Sequence, residues 1–527
     1  MSRILTLLFL GLAFLSSGVD ARAQSITQDL SDTLNAQDAV VVDGRIVSAD
    51  RLMSAYEAVD FRPIWTTERG LSPAGLALRD ALTLADTHGL NTLEYEALWP
   101  RDSNRLSVEF GVSDVFLTLA HHLHGGRTSA SISSPDIVIA RKAVDAGATF
   151  QRIANGESPD RVLRDLAPQS RQYRALRDML GGYRRLAADG GWQPVSGGET
   201  LKPDMVADRV VEVRQNLMSR GYGGLDLVDE LDHYDARLVA TIRHFQARHG
   251  LEADGIVGKM TIAAMNVPAD ERVNQIALNM ERWRWLPSSL GRDHILVNQA
   301  SFTLYGVRNG QTDMTMDVVV GKPYHKTPIF SDRIRYVEFN PTWTIPTSIA
   351  RRTYLPKLKS NPGYFDQNGY RIYAGWGANA ARINPFSIDW SRETSGRFDY
   401  KIVQDPGPKN ALGRVKFMFP NDFAVYLHDT PARSLFARTS RAFSSGCVRL
   451  HRPLEFAEYV LRNDGWSRGR VDNVIAGRRT QRVDLSESLP VHLTYFTAWI
   501  DPNGMPRFYP DIYDRDSIVD RVLRGAV

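Results

Sequence analysis

From about residue 28 to residue 200 the apolar periodicity is helical, with Leu76, Leu78, Leu82 and Leu84 on an expected helix after Phe61-Arg62-Pro63-Ile64-Trp65. That period predicts an all-helical N-terminal unit whose apolar stripes face a common core. Punctuation at Gly181-Gly182, Gly190-Gly191 and Ser196-Gly197-Gly198 marks its end. A shorter helical unit follows over 203–267. Val206, Val210, Val213 and Leu217 make one stripe ended by Gly221-Tyr222-Gly223, and Asp235 is placed to cap a second helix carrying Leu238, Ile242 and Phe245, ended by Gly250. Asp254-Gly255-Ile256-Val257-Gly258 then turns into a short third helix through Met265. A connector helix over 268–292 carries Val273, Ile276, Ala277, Met280 and Trp283 at helical spacing and stops at Pro287.

Beyond the connector the period changes from 3.6 to 2. Phe302 and Leu304, the turn Asn309-Gly310, then Met314, Met316, Val318 and Val320 predict a β-hairpin, and 293–478 reads as a mainly β domain. Inside it, 347–410 is rich in Asn, Gly, Arg and aromatics, including Tyr354, Tyr364, Phe365, Tyr370, Tyr373 and Trp376, without strand alternation. An insertion of that length reads as a functional lid. Residues 479–527, with Val491-His492-Leu493-Thr494-Tyr495 and the turn Asp501-Pro502-Asn503-Gly504, read as a closing hairpin and tail. The fold class expected is multidomain α+β.

The first 23 residues stand apart. Arg3, the apolar run Ile4 to Leu15 and Ala21-Arg22-Ala23 read as a secretory signal peptide cleaved before Gln24. The run is too short to cross a bilayer, and no other stretch is long enough, so no membrane span is expected after cleavage. The formal charge is only +4 over 527 residues. No basic run tracks a phosphate backbone, so nucleic acid is not an expected partner, while a mildly basic surface suits a polyanionic extracellular substrate.

An exported protein normally pairs its cysteines, yet this chain has one, Cys447. A lone cysteine is by default a small buried hydrophobe. Its surroundings argue otherwise. In Arg441-Ala442-Phe443-Ser444-Ser445-Gly446-Cys447-Val448-Arg449-Leu450 the thiol sits in a turn, ahead of a helix starting at Pro453. Small residues there permit close approach of a carbonyl, and the N–H groups around Gly446 and Cys447 can face a developing oxyanion. A thiol of ordinary pKa, about 8.5, is mostly unionised at neutral pH, so attack needs a base. His428 is the candidate: Phe423, Val425 and Leu427 alternate as a strand does, and His428 falls at its end.

Other chemistries find less support. Gly321-Lys322 has Met316 where a phosphate loop needs its first glycine and Pro323 where it needs Ser or Thr. His121 and His124 lack the acidic or histidine partners of a metal site, and neither a His-Glu-x-x-His helix nor a cysteine pair is present for zinc.

Two sets of residues carry family resemblances. Phe245-Gln246, Gly250-Leu251, Asp254-Gly255, Gly258 and Thr261 resemble the three-helix peptidoglycan-binding module of cell-wall enzymes. His428 followed by a loop and Ser444-Ser445-Gly446-Cys447-Val448-Arg449 resembles the signature of L,D-transpeptidases, which carry a YkuD-type catalytic domain. Asn340-Pro341-Thr342-Trp343, Leu412-Gly413-Arg414-Val415-Lys416-Phe417 and Tyr426-Leu427-His428-Asp429-Thr430-Pro431 are similar to the large periplasmic subgroup typified by the YcbB protein, with a helical scaffold, a peptidoglycan-binding module and an inserted lid. The chain departs from the broad family in having Ser445 where histidine usually precedes the Gly-Cys pair, as the large subgroup also does.

The resemblance implies that Cys447 is the nucleophile and His428 the general base, with Gly446 and Cys447 giving oxyanion N–H groups and Ser445 beside them. Arg449 orients the loop or a substrate carboxylate, or makes a structural salt bridge. His428 would be oriented by a backbone carbonyl, which leaves the Asp429 carboxylate without a catalytic role. The implied reaction forms 3→3 crosslinks between stem peptides through a thioester, releasing D-alanine, with no cofactor and no metal. Peptidoglycan stem peptides and glycan are the implied substrates, cell-wall synthases the implied partners, the periplasm the implied location, and carbapenems the implied inhibitors. A hydrolase with the same site and a non-catalytic wall binder are the alternatives.

Overall fold

The computed structural model describes residues 26–128, 134–396 and 398–524; the signal peptide expected over 1–23 lies outside them. The N-terminal unit is built on helices Ala49–Glu57, Pro73–Ala81, Arg105–Gly125, Ala146–Ala154, Pro159–Leu166 and Arg171–Ala188. Arg105–Gly125 runs through its middle, with Phe110, Val112, Val115, Phe116, Leu119 and Leu123 all buried. The unit is helical in the main but not throughout. Ala39–Val42 and Arg45–Ser48 pair as an antiparallel hairpin. Three consecutive valines favour extended backbone, and Asp43 and Gly44, with φ of 46° and 76°, make the tight turn a two-residue hairpin requires.

The second unit has helices Asp208–Ser219, Ala236–Arg248 and Lys259–Met265. Asp235 caps the middle one, accepting from the Leu238 N–H at 2.7 Å. Val210, Val213, Leu217, Leu238, Ile242 and Phe245 close one core between them.

The connector helix, Ala269–Trp285, belongs to two cores at once. Ile276, Met280 and Trp283 pack into the N-terminal core, Leu278 and Trp285 into the β domain. Glu281 and Arg284 pair at 2.7 Å with almost no exposure. Glu281 also accepts from the Thr128 N–H and the Trp285 indole, both at 3.1 Å, so its charge is buried with its partners made.

The β domain is a ring of pairings. Numbering only the strands of that ring and one of the two appended to it (the other, Ala442–Ser444, pairs parallel with the end of Gln311–Gly321), they are β1 (Ile137–Val138), β2 (His294–Asn298), β3 (Thr303–Arg308), β4 (Gln311–Gly321), β5 (Ile329–Phe339), β6 (Val415–Met418), β7 (Leu427–His428), β8 (Val448–Leu450) and β9 (Gln481–Thr494). β2, β3, β4, β8, β7, β6, β5 and β9 pair in that order, and β9 returns to β2. β7–β8 and β9–β2 are parallel, the others antiparallel. The Asn309-Gly310 turn joins β3 to β4 as alternation and turn chemistry predict. β1, donated by the N-terminal unit, pairs parallel with the start of β5 at Ile329 and Phe330, on the stretch that β6 does not reach. The reading of 479–527 as hairpin and tail is corrected for its first part. Gln481–Thr494 is a full barrel strand, with Val491 and Leu493 buried; its exposed first half, where Arg482 and Asp484 pair, hides the alternation. The hairpin is Ala498–Ile500 with Pro506–Phe508, and the tail helix Arg515–Leu523.

Between β5 and β6 the chain forms a separate sheet of Trp343–Thr344, Tyr400–Gln404, Tyr370–Ala374 and Arg382–Ile383 with short helices beside it. Its aromatics are its core: Trp343, Tyr354, Phe365, Tyr370, Trp390 and Phe398 are buried together.

Candidate active site

The site begins with the register of two short parallel strands. Leu427 pairs with Val448 and His428 with Arg449, and the Val448 N–H donates to the Tyr426 carbonyl at 3.1 Å. Leu427 and Val448 are fully buried in the barrel core. Strand alternation therefore turns Tyr426, His428 and Arg449 to the other face, with Cys447 entering β8 beside them. Cys447 and His428 are diagonal neighbours across this pair of strands, and the thiol itself lies 3.9 Å from the Ala424 carbonyl.

His428 is buried, and its Nδ1 lies 2.5 Å from the Asp429 carbonyl. A carbonyl only accepts, so Nδ1 carries the proton and the neutral ring leaves Nε2 as an acceptor. Burial, aided by the Arg449 and Lys416 charges and opposed by the Asp429 bond, pushes the imidazole down to about 3. The Asp429 carboxylate is occupied elsewhere. It accepts from the N–H groups of Arg414 and Thr430 and faces the guanidinium groups of Arg414 and Arg433 at 3.5 and 3.3 Å.

Cys447 is half-buried. Burial pushes its thiol up to about 11, against the Tyr426 N–H, the Arg449 charge and the Tyr426 hydroxyl, which all favour the thiolate. Tyr426 was not singled out from the sequence, although its place two residues before His428 on the same strand puts it on the same face. It packs against both the barrel core and the core of the inserted sheet, joining the two beside the sulfur. Arg449 has no carboxylate partner among the described residues, and its buried Nε has no hydrogen-bond partner there. The salt-bridge reading of Arg449 thus finds no counter-ion, and the cation is left facing the site.

The turn around Cys447 departs from expectation at one atom. The Gly446 N–H donates to Ser444 Oγ at 3.1 Å, and Ser444 Oγ donates to the Cys447 carbonyl at 2.6 Å. The Gly446 amide is therefore engaged inside the turn, which leaves the Cys447 N–H, without an acceptor among the described residues, as the donor free for an oxyanion. Ser445 is exposed at the mouth of the site. Behind the turn the Gly446 carbonyl accepts from Thr327 Oγ1 at 2.8 Å. Thr327 lies more than a hundred residues upstream and carries no local motif that could have marked it.

The inserted segment reaches the site's rim. His325 lies close enough to Lys322 and to Arg352 of the insert for both charges, after burial, to lower its pKa. A cavity of about 1090 Å³ between the N-terminal unit, the end of the connector helix, β2–β4 and the C-terminal hairpin contains neither Cys447 nor His428. The candidate chemistry lies in the turn and strand ends instead. Among the described residues no group of three or more His, Cys, Asp or Glu side chains is placed to hold a metal ion.

Comparison with known proteins gives three family matches. Residues 292–475 match the model of the L,D-transpeptidase catalytic domain, 50–180 that of a scaffold domain, and 206–265 that of a putative peptidoglycan binding domain. A curated Haemophilus influenzae protein, named putative L,D-transpeptidase, is 36% identical over 255 residues, which is 48% of this chain and 50% of that protein. The chain thus spans about half the length of this relative. Among solved structures, an L,D-transpeptidase from Mycobacterium smegmatis is 12% identical over 38% of this chain and 58% of its own, with a TM-score of 0.20. One from Xylanimonas cellulosilytica is 14% identical over 57% of this chain and all of its own, with a TM-score of 0.17.

Proposed function

From the premise that residues 292–475 are an L,D-transpeptidase catalytic domain, set behind scaffold and peptidoglycan-binding domains, we propose that this chain crosslinks peptidoglycan through a Cys447 thioester in the periplasm. The supporting observation is the strand register that places a neutral imidazole, its Nδ1 held by the Asp429 carbonyl, diagonally across from the chain's single thiol. Among the described residues no helix is long and apolar enough to cross a membrane.

In this reading Cys447 Sγ attacks the carbonyl of the third residue of a donor stem while its proton passes to His428 Nε2. The oxyanion forms against the Cys447 N–H. As the amide breaks, His428 gives the proton to the departing D-alanine amine, leaving a thioester. An acceptor side-chain amine then attacks the thioester, His428 takes its proton and returns it to sulfur, and a 3→3 crosslink results. Arg449 supplies the cation for a substrate carboxylate, and the insert shields the thioester from water.

Two measurements test this. Intact mass after imipenem exposure should show one adduct on the wild type and none on Cys447→Ala; adducts on both would refute the assignment of the nucleophile. Incubation with purified sacculi should yield crosslinked muropeptide dimers. Loss of mass without dimers would make the protein a hydrolase with the same site.

A further inference from the structure

Thr327 sits at the end of the turn between β4 and β5, fully buried, and each of its polar atoms is engaged. Its N–H donates to the Tyr513 hydroxyl at 3.4 Å, and its carbonyl accepts from the Arg515 guanidinium at 3.2 Å. Its hydroxyl accepts from the Gly321 N–H at 2.9 Å. That hydroxyl has one proton, and the proton goes to the Gly446 carbonyl, because the Gly321 N–H can only donate. Tyr513 in turn donates to the Gly321 carbonyl at 2.6 Å, so the two ends of the turn are tied together.

Gly446 C=O and Cys447 N–H belong to one peptide unit. No peptide bond in the described chain is cis, so the two groups point in opposite directions across that plane. Gly446 has φ of 119°, a region open to glycine and costly for other residues. Space is not the reason for glycine there, since a Cβ would meet nothing closer than 3.9 Å. Backbone conformation is. Beside such a residue the peptide unit can rotate at low cost, and rotation would carry the Cys447 N–H away from the cleft.

We propose that the Thr327 hydroxyl is a positioning residue for the acyl-transfer step: by fixing the Gly446 carbonyl from behind, it aims the Cys447 N–H at the oxyanion. This rests on the reading of Cys447 as an acylated nucleophile. Thr327 touches no reacting atom and acts only through the peptide that it holds.

The test compares two reactions of the same sulfur. Acylation by imipenem develops an oxyanion; alkylation by iodoacetamide does not. In Thr327→Val the rate of imipenem acylation should fall about a hundredfold, the lower end for loss of one oxyanion donor. Iodoacetamide alkylation of Cys447 should change less than about threefold. Thr327→Ser, which keeps the hydroxyl, should acylate within a few-fold of wild type. Unchanged acylation in Thr327→Val, or equal loss of both reactions in both variants, would overturn the proposal, the second outcome meaning that the turn has simply moved. Absence of any imipenem adduct on the wild type, with alkylation intact, would instead remove the acyl-enzyme reading and this inference with it.

Discussion

Burial pushes the Cys447 thiol up to about 11 and the His428 imidazole down to about 3, so the thiol is protonated and the imidazole neutral through the neutral range. In the proposed reaction sulfur would then lose its proton only as the bond to carbon forms, to Nε2. The consequence is a particular pH profile. Alkylation of Cys447 by iodoacetamide should climb steadily from pH 6 to pH 10. A plateau established below pH 7 would reveal a standing thiolate–imidazolium pair and contradict the burial argument. Arg449 gives a second handle. Its half-buried cation has no counter-ion among the described residues, so Arg449→Gln should leave thermal stability unchanged or slightly higher. The same variant should acylate with carboxylate-bearing imipenem about ten- to a hundredfold more slowly, the worth of one charge-assisted hydrogen bond. Equal rates for the two proteins would show that the guanidinium does not meet the ligand.

At the level of elements, the loop before β6 holds Asp429, the residue after His428. Gly413 has φ of 63°, and a Cβ there would lie 2.3 Å from the Asp429 carboxyl. Gly413→Ala should therefore cost more than about 2 kcal/mol in urea unfolding, strain and clash together, and slow acylation by shifting the carbonyl that orients His428. Full stability in that variant would mean the loop adapts freely. The helix Pro453–Val460 was legible because proline opens it, but of the strand that Phe423, Val425 and Leu427 suggest only Leu427–His428 forms, since Phe423 lies in a turn and Ala424 has φ of 51°. Tyr426 was legible by the same alternation, had the opposite face been read. The engagement of the Gly446 N–H by Ser444 was not, since pattern gives faces and not hydrogen-bond directions. Nor was Thr327, or the true extent of β9: both depend on pairings between segments distant in sequence, and one half of β9 is solvent-exposed and polar.

For the whole molecule, burial of imidazoles sets the response to acid. His88 and His428 are pushed down to about 3, His122 and His492 to about 4, in each case mainly by burial. The unfolded chain binds protons at these sites below about pH 6.5 while the folded one does not, so stability present above that pH is lost as pH falls toward 4. Each site contributes at most about 2 kcal/mol between pH 7 and pH 5. The first melting transition should accordingly drop by several degrees over that interval; a flat profile would show that these rings take up protons without unfolding. A fragment confined to residues 292–475 lacks β9, which bridges β2 and β5. It should give no near-ultraviolet dichroism of a packed core, whereas a sharp native spectrum would mean that the barrel closes without this strand.

The strand Ile137–Val138 is chemically part of the N-terminal helical unit and structurally part of the barrel wall, two residues from the threonine behind the nucleophile turn. Grafting this barrel onto a foreign helical domain would thus leave a bare rim at Ile329 and Phe330, free to recruit a stray strand from another molecule. The barrel of this chain is not an interchangeable cassette: its rim is completed by the short tongue that the upstream unit extends into it.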